Sequence, residues 1–497
     1  MAFNYMTAQE AAEMINNGDT IGTSGFTAPG TPKFITEALA EKATREHEAG
    51  REFKVNLFTG ASTSDHVDGV LSRANAYNMR APYQNVPDLR KRINAHDCHY
   101  FDRHLSEMAQ EVRYGTYGPI DWAIIEAADI NDKGEIVLGC GVGNVATYAH
   151  LAKHILIELN DKLPKSLYGM HDVYMPLDPP YRREIPVFAP NDRVGSPVLK
   201  VDPAKVVGIV KTSSYDCVKK FTAPDDTSRQ IGANVVRFLV GEYKAGRLPK
   251  EFLPLQSGVG NVANAVLYDL GESKDLPPFM MYTEVIQDAV LELLHKGKCT
   301  FASTCSMTFT DDTEKELFAD MKFFHDKILM RPAEISNSPE IIRRLGVIAM
   351  NTALEADIFG NVNSTHVCGT KMMNGIGGSA DFSRNAFLSI FSCPSIQKGG
   401  KISAIVPMAS HIDHSEHSVK ILATEQGVAD LRGKNPIQRA ETIIENCVHP
   451  MYKELMWDYL KLSKGGHTPH TLRAAFALHE AFMETGDMLQ ADFGKYI

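Results

Sequence analysis

Two glutamates stand where a carboxylate could do chemistry. Glu284 lies in MMYTEVIQDAVLELL (280–294), where Val285, Ile286, Ala289, Val290, Leu293 and Leu294 recur at helical spacing. That periodicity predicts a helix packed on a sheet, with Glu284 at a strand-to-helix junction. Glu425 lies in TEQGVADLRG (424–433), directly after the apolar run KILAT and before Gly427. Strand ends of open α/β sheets are where ligands bind. Either glutamate could instead be a helix-start acid favoured by the helix dipole. In a chemical role a carboxylate attacks a thioester or anhydride as a nucleophile and forms a covalent intermediate. That role needs an ionised group, an oxyanion pocket and shelter from water.

Two glycine-rich stretches offer such a pocket. QSGVGNVANAVL (256–267) puts Gly258 and Gly260 between a strand and a helix, so that backbone N–H groups can approach an anion at a helix N-terminus. The alternative is a tight turn against the sheet. KMMNGIGGSADFSRNA (371–386) puts Gly375, Gly377 and Gly378 ahead of a possible helix, and could present amides in the same way or form a plain surface loop. SIQKGGK (395–401) carries Lys398 and Lys401 around two glycines: a phosphate contact or a solvated turn. SHIDHSEHS (410–418) holds His411, Asp413, His414, Glu416 and His417, all metal-ligand types. It lacks H-E-x-x-H spacing and an amphipathic helix to align two ligands, so a hydrogen-bonded loop is expected rather than a metal centre.

The elements that must position these residues alternate. KVNLFTG, DWAIIEAADI, KVVGIVKT, LPLQSGVG, RLGVIAMNTALEADI and KISAIVPMAS read as strands; TPKFITEALAEKATREHE and NVVRFLVGEYKAG read as helices. Such alternation, with glycine turns after strands, predicts α/β architecture with a largely parallel sheet. An internal duplication is also legible. GDTIGTSGFTAPGTP (18–32) resembles FLPLQSGVGNVANAV (252–266), and EAADINDKGEI (126–136) resembles LEADIFGNV (354–362). The expectation is two similar, open, mostly parallel-sheet α/β domains, 1–224 and 225–497, the second carrying Glu284. The boundary is read into the polar stretch TAPDDTSRQ (222–230).

Composition limits the partners. The chain has 497 residues, enough for two or three domains, and a formal charge of -10, which disfavours nucleic acid. Its eight cysteines include no C-x-x-C pair, which suits reduced thiols better than a zinc ribbon or a disulfide framework. MAFNYMTAQEAAEMI reads as a helix start, with Thr7 and Glu10 at capping-box spacing, rather than as a secretory leader. No apolar run reaches membrane-spanning length. A cytoplasmic protein is expected, with no membrane partner.

QSGVGNVANAV, YTEV, EISNSPEIIRRLGVIAMNTALEADIFGNVNSTHV, MMNGIGGSADFSRNA, the SHIDHSEH stretch, TEQGVADLRG and the N-terminal SGFTAPGTPKFITEAL together resemble the acetyl-CoA hydrolase/transferase family of class I CoA-transferases. The likeness spans nearly the whole chain and is strongest to succinyl-CoA:acetate CoA-transferases. It implies that Glu284 is the catalytic glutamate, that Asn337 is a polar residue beside it and that Glu425 is a second active-site carboxylate. Gly378 and the backbone of Val259–Gly260 match oxyanion and coenzyme A contacts, with Asn261, Val262 and Ala263 following in the same motif. Asn374 and Lys398 match positions that touch coenzyme A. The implied reaction moves CoA between an acyl-CoA and a small carboxylate such as acetate or succinate, through an acyl-glutamyl anhydride and a glutamyl-CoA thioester. Hydrolysis, with water as acceptor, is the alternative. The resemblance also implies a homodimer, and coenzyme A as substrate with no metal. A nucleophilic glutamate is expected near or below the ordinary carboxyl pKa of ~4.3, so that it is ionised at neutral pH.

Overall fold

A computed structural model describes residues 3–218 and 223–496. The chain forms two compact units. The first comprises Met1–Lys220, Met280–Leu345 and Asn374–Asp381; the second comprises Phe221–Phe279, Gly346–Met373 and Phe382–Ile497. This division differs from a single cut at 224/225. The segment bearing Glu284 and the loop bearing Gly378 both fold with the N-terminal unit.

The first unit is built on a nine-stranded sheet. Its strands Thr20–Thr23, Val55–Phe58, Tyr77–Ala81, Trp122–Ile130, His154–Asn160 and Val206–Thr212 pair in parallel. Strand Glu135–Leu138 returns antiparallel beside Trp122–Ile130, as the turn in EAADINDKGEI requires. Strand Trp122–Ile130 is buried along most of its length, the pattern of a parallel strand covered on both faces. Helices Ala8–Glu13 and Phe34–Glu48 cover one face through Ala11, Ala12, Leu39 and Ala43, which meet Ile21, Val55 and Leu57 of the sheet. The predicted capping box forms: Thr7 Oγ1 accepts from Glu10 N–H, and Glu10 accepts from Thr7 N–H.

The second unit has parallel strands Leu255–Ser257, Ile348–Thr352, Leu388–Ser392 and Ile421–Ala423, with Val428–Asp430 antiparallel at the end. Its core gathers Phe391, Ile405, Leu422, Ile443, Tyr452, Tyr459 and Leu478. The sequence repeats occupy like places. GDTIGTSGF and LPLQSGVG each run from a parallel strand through a glycine turn to a helix. EAADINDKGEI and LEADIFGNV each form an antiparallel turn-back. The fold is thus the expected α/β type, with large, mostly parallel sheets in two halves.

One expectation about local structure is corrected, and the polar stretch read as the boundary carries the start of a helix. The polar stretch 222–230 is helical from Asp226: Asp225 caps helix Asp226–Lys244 by accepting from Ser228 N–H, and residue 222 lies outside the described residues. The helix read over 280–294 begins only at Asp288. Phe279–Tyr282 and Val285–Ile286 are strands, and Glu284 sits in the bend between them. Apolar residues that alternate through two short strands and then enter a helix mimic one continuous helical stripe.

Lys33, just before helix Phe34–Glu48, is buried with its ammonium 2.5 Å from Glu126 and 2.9 Å from Asp216. Glu314 and the Cys140 thiol complete this buried cluster; their ligand-type atoms and that of Asp216 lie within 4.8 Å of one another. One ammonium faces three carboxylates, and Glu126, Asp216 and Glu314 each keep a buried oxygen without a partner among the described residues. Burial, then the charges of Asp216 and Glu126, push the Glu314 carboxyl up to about 9. Below the unfolded value both states hold this proton, and between that value and about pH 9 only the folded state does. Stability therefore falls as pH rises through this window. Thermal unfolding between pH 6 and 9 should show Glu314→Gln losing less Tm with rising pH than the parent protein. Equal slopes would contradict the buried proton.

Candidate active site

Glu284 is held by its backbone. Its carbonyl accepts from Cys305 N–H at 2.9 Å, Ser306 N–H at 3.2 Å and Thr304 Oγ1 at 3.0 Å. Thr283 N–H donates to Ser303 O at 2.9 Å. Val285 and Ile286 then pair in parallel with Ser306 and Met307. These bonds explain why no helix starts at Glu284: its carbonyl is engaged by a neighbouring strand. They also fix the Cα of a residue whose side chain is left to the site.

The carboxylate accepts from Asn337 Nδ2 at 2.6 Å. Asn337 ends the short helix Ala333–Ser336, whose first amide donates to Gly143 O. The buried Tyr282 hydroxyl donates to Ile335 O, tying the strand before Glu284 to the turn before Asn337. Ser336 Oγ donates to Asn337 Oδ1 at 2.7 Å, which turns the amide so that its nitrogen faces Glu284. Upstream, buried Arg331 is bound by Asp172, Ser303 Oγ and the carbonyls of Pro190 and Asp192.

The glycine loop closes on the same carboxylate. A Cβ built on Gly378 would stand 1.7 Å from Glu284 Oε2 and 2.4 Å from Asn337 Nδ2. Only glycine lets the backbone approach this closely. The loop is anchored by Gly375 N–H to Gln84 O at 3.2 Å and by Ile376 N–H to Asp102 Oδ2 at 2.8 Å. Tyr83 lies against Gly375 and Gly377. Gln84 is fully buried, and neither polar atom of its side chain has a partner among the described residues.

Electrostatics depart from the sequence expectation. Glu284 is half-buried. Loss of hydration pushes its carboxyl up to about 7; the Asn337 donor pulls it down and the charge of Asp381 raises it further. The expected value near or below the ordinary one is corrected: at neutral pH this free carboxylate is only partly ionised. The sequence named Glu425 as a second carboxylate, and that residue folds with the second unit. The acidic neighbour inside this unit is Asp381, in the first turn of helix Ser379–Asn385 and three residues after Gly378. The signal was the acid in GIGGSADF, which only the glycine turn carries back to Glu284.

The remaining named residues lie in the second unit or beside the loop. Gly260, with φ +118, precedes helix Asn261–Glu272, which carries Val262 and Ala263, and a Cβ there would meet open space. Val259 is exposed. Glu425 sits in the turn between strands Ile421–Ala423 and Val428–Asp430, not at a helix start. It accepts from Ser395 N–H at 2.8 Å, from Ser395 Oγ and from Gln426 Nε2 at 3.0 Å. Burial opposes its charge, yet the Ser395 donors hold it below the usual carboxyl value. Lys398 has φ +48, and its ammonium lies 5.0 Å from the centre of the Phe482 ring. Asn374 Nδ2 donates to Gly375 O at 3.1 Å. In the His-rich stretch, Asp413 accepts from Ser364 and Thr365, His411 lies against the His366 ring and His414 against Phe391. These groups are engaged as a hydrogen-bonded loop.

Comparison with known proteins places the chain in a family. Residues 3–211 match the acetyl-CoA hydrolase/transferase N-terminal domain and residues 314–460 the C-terminal domain. The chain is 50% identical to a propanoyl-CoA:succinate CoA transferase of Escherichia coli, over 97% of this chain and 98% of that protein. It is 47% identical to a succinyl-CoA:acetate CoA-transferase of Clostridium kluyveri, over 97% and 90%. It is 42% identical to an acetyl-CoA hydrolase of Schizosaccharomyces pombe, over 95% and 93%. A crystal structure of 4-hydroxybutyrate CoA-transferase from Porphyromonas gingivalis shares the fold, with a TM-score of 0.62, 20% identity and coverage of 92% of this chain and 97% of that one. The chain is an enzyme and belongs to the acetyl-CoA hydrolase/transferase family.

Proposed function

We propose that this enzyme moves CoA between an acyl-CoA and a small carboxylate, with succinyl-CoA and acetate as the leading pair and Glu284 as the nucleophile. The observation that carries the reading is a glutamate on a rigid bend, with an amide donor at 2.6 Å and a glycine backbone against its carboxylate. Glu284 attacks the thioester carbonyl, expels CoA thiolate and becomes an acyl-glutamyl anhydride. The thiolate returns to the glutamyl carbonyl and releases the first carboxylate, leaving a glutamyl-CoA thioester. The acceptor carboxylate attacks that thioester, and the steps run in reverse to release the new acyl-CoA and free Glu284.

Each tetrahedral intermediate carries an oxyanion. The backbone amides of Gly378 and of Val259–Gly260, with the Asn337 amide, are the proposed donors, and such preorganised donors are worth about 3 kcal/mol each. The N-terminal turn Asn261–Ala263, Asn374 and Lys398 are proposed to hold the coenzyme, and Glu425 to be the second carboxylate of the site. The chemistry uses no metal, since the charges it develops are met by hydrogen-bond donors. A homodimer in the cytoplasm completes the proposal. The likeness to acetyl-CoA hydrolases favours one second reading, in which water attacks the same covalent intermediates.

A panel of acyl-CoA donors crossed with carboxylate acceptors tests the reading. Transfer predicts parallel initial-rate lines and little turnover without a carboxylate. Turnover equally fast without any acceptor would establish hydrolysis instead, and intersecting lines would exclude a covalent enzyme intermediate. Gly378→Ala should stay folded and lose at least a hundredfold in kcat, because the new methyl displaces the carboxylate; activity within twofold of the parent would contradict the close approach. The acid limb of kcat/KM should fall near pH 7, since the proton on Glu284 must leave before it attacks. A limb near pH 4.5 would show a carboxylate that burial does not perturb.

A further inference from the structure

Asn337 serves two carboxylates. Its Nδ2 atom donates to Glu284 Oε2 at 2.6 Å and lies 3.4 Å from Asp381 Oδ2, while its Oδ1 accepts from Ser336. An amide nitrogen carries two hydrogens in one plane, so a donor shared between two acceptors can hold only one flip state. Asp381 is itself fixed by Ser106, whose N–H donates at 3.1 Å and whose hydroxyl donates at 2.6 Å. Ser106 lies in the first turn of helix Leu105–Arg113. At the other end of that helix, Arg113 grips both oxygens of Glu334 at 2.7 Å, and Glu334 lies three residues before Asn337. One helix therefore holds Asp381 at one end and, at the other, Glu334 in the turn before Asn337.

Asp381 also matters as a charge. Acylation of Glu284 removes one of two neighbouring negative charges. A neighbour of like sign thus disfavours the free carboxylate relative to the anhydride and the thioester, which are neutral at that residue. We propose that Asp381 is a positioning residue of this site: it fixes the Asn337 donor toward Glu284 and, by its charge, drives Glu284 toward its covalent states. The inference rests on the reading of Glu284 as the nucleophile.

Several described residues face this pair. Ser106, His104 and Asn337 face Asp381; Asn337, Asp381 and the Gly378 backbone face Glu284, with Tyr83 and Cys305 in electrostatic reach. Burial pushes the Tyr83 hydroxyl up to about 12 and the Cys305 thiol well above its usual value, so both stay neutral in the acid range. Asp381 is pushed up to about 6, chiefly by burial, against the Ser106 hydroxyl and the nearby His104.

Asp381→Asn keeps the shape and an acceptor oxygen but removes the charge. Its acid limb of kcat/KM should move down by about one pH unit, because Glu284 loses a like-charged neighbour. Asp381→Ala also removes the acceptor and should lower kcat roughly a hundredfold, with KM for acyl-CoA within about twofold. An acid limb unmoved in Asp381→Asn would overturn the proposal whatever the change in rate, since a merely structural residue alters rate and folding but not that limb. If Asp381→Asn fails to fold, Ser106→Ala takes its place. Losing the hydroxyl makes Asp381 harder to ionise, so the limb should shift in the same direction by a smaller amount, and an unmoved limb again overturns the proposal. Parallel initial-rate lines in the parent enzyme keep the two readings apart. Their absence defeats the nucleophile, whereas their presence with an unmoved limb defeats only the role of Asp381.

Discussion

As the proposed nucleophile, Glu284 must carry a negative charge where water has been partly removed, and one amide nitrogen, that of Asn337, stands 2.6 Å from it. Burial pushes the carboxyl up, and the Asn337 donor works against that rise. Much of the surrounding architecture serves this one contact. Three donors fix the Glu284 carbonyl, the Tyr282 hydroxyl ties its strand to the turn before Asn337, and Ser336 sets the face of the amide. A carboxylate with a raised pKa is also a better nucleophile than an ordinary one when it is ionised. The compromise near pH 7 therefore suits attack on a thioester better than a fully solvated acid would.

The glycine at position 378 belongs to the same constraint. The loop must bring backbone, not side chain, against Glu284, and any Cβ would occupy the place of the carboxylate. Glu425 has a different environment. Ser395 donates to it twice and keeps it ionised. The two proposed catalytic carboxylates are thus set apart in their proton affinity, one raised and one lowered, which is how similar groups acquire separate tasks.

Much of this was legible in the sequence, for physical reasons. Strand–helix alternation and the glycine turns reported the α/β fold, because buried parallel strands leave long apolar runs such as DWAIIEAADI. The paired repeats reported like elements in two halves. Glu284, Asn337 and Gly378 were nameable through long ordered motifs, and the structure brings those three together. Three things were hidden. The periodicity of 280–294 could not reveal that the Glu284 carbonyl bonds to another strand. Asp381 approaches Glu284 only through the turn at Gly378, a proximity that sequence separation conceals. The pKa of Glu284 depends on how thoroughly its surroundings exclude water, which composition does not encode. The folding of 280–345 with the N-terminal unit is likewise a matter of tertiary contact and not of chain order.

The central claim is that Glu284 becomes covalently bonded to the substrate. Intact-mass measurement of the enzyme after incubation with acyl-CoA, followed by peptide mapping, addresses it directly. The account predicts an added mass of coenzyme A less one water, carried by the peptide containing Glu284 and absent from Glu284→Ala. An adduct on another residue, or full turnover and adduct formation in Glu284→Ala, would contradict it.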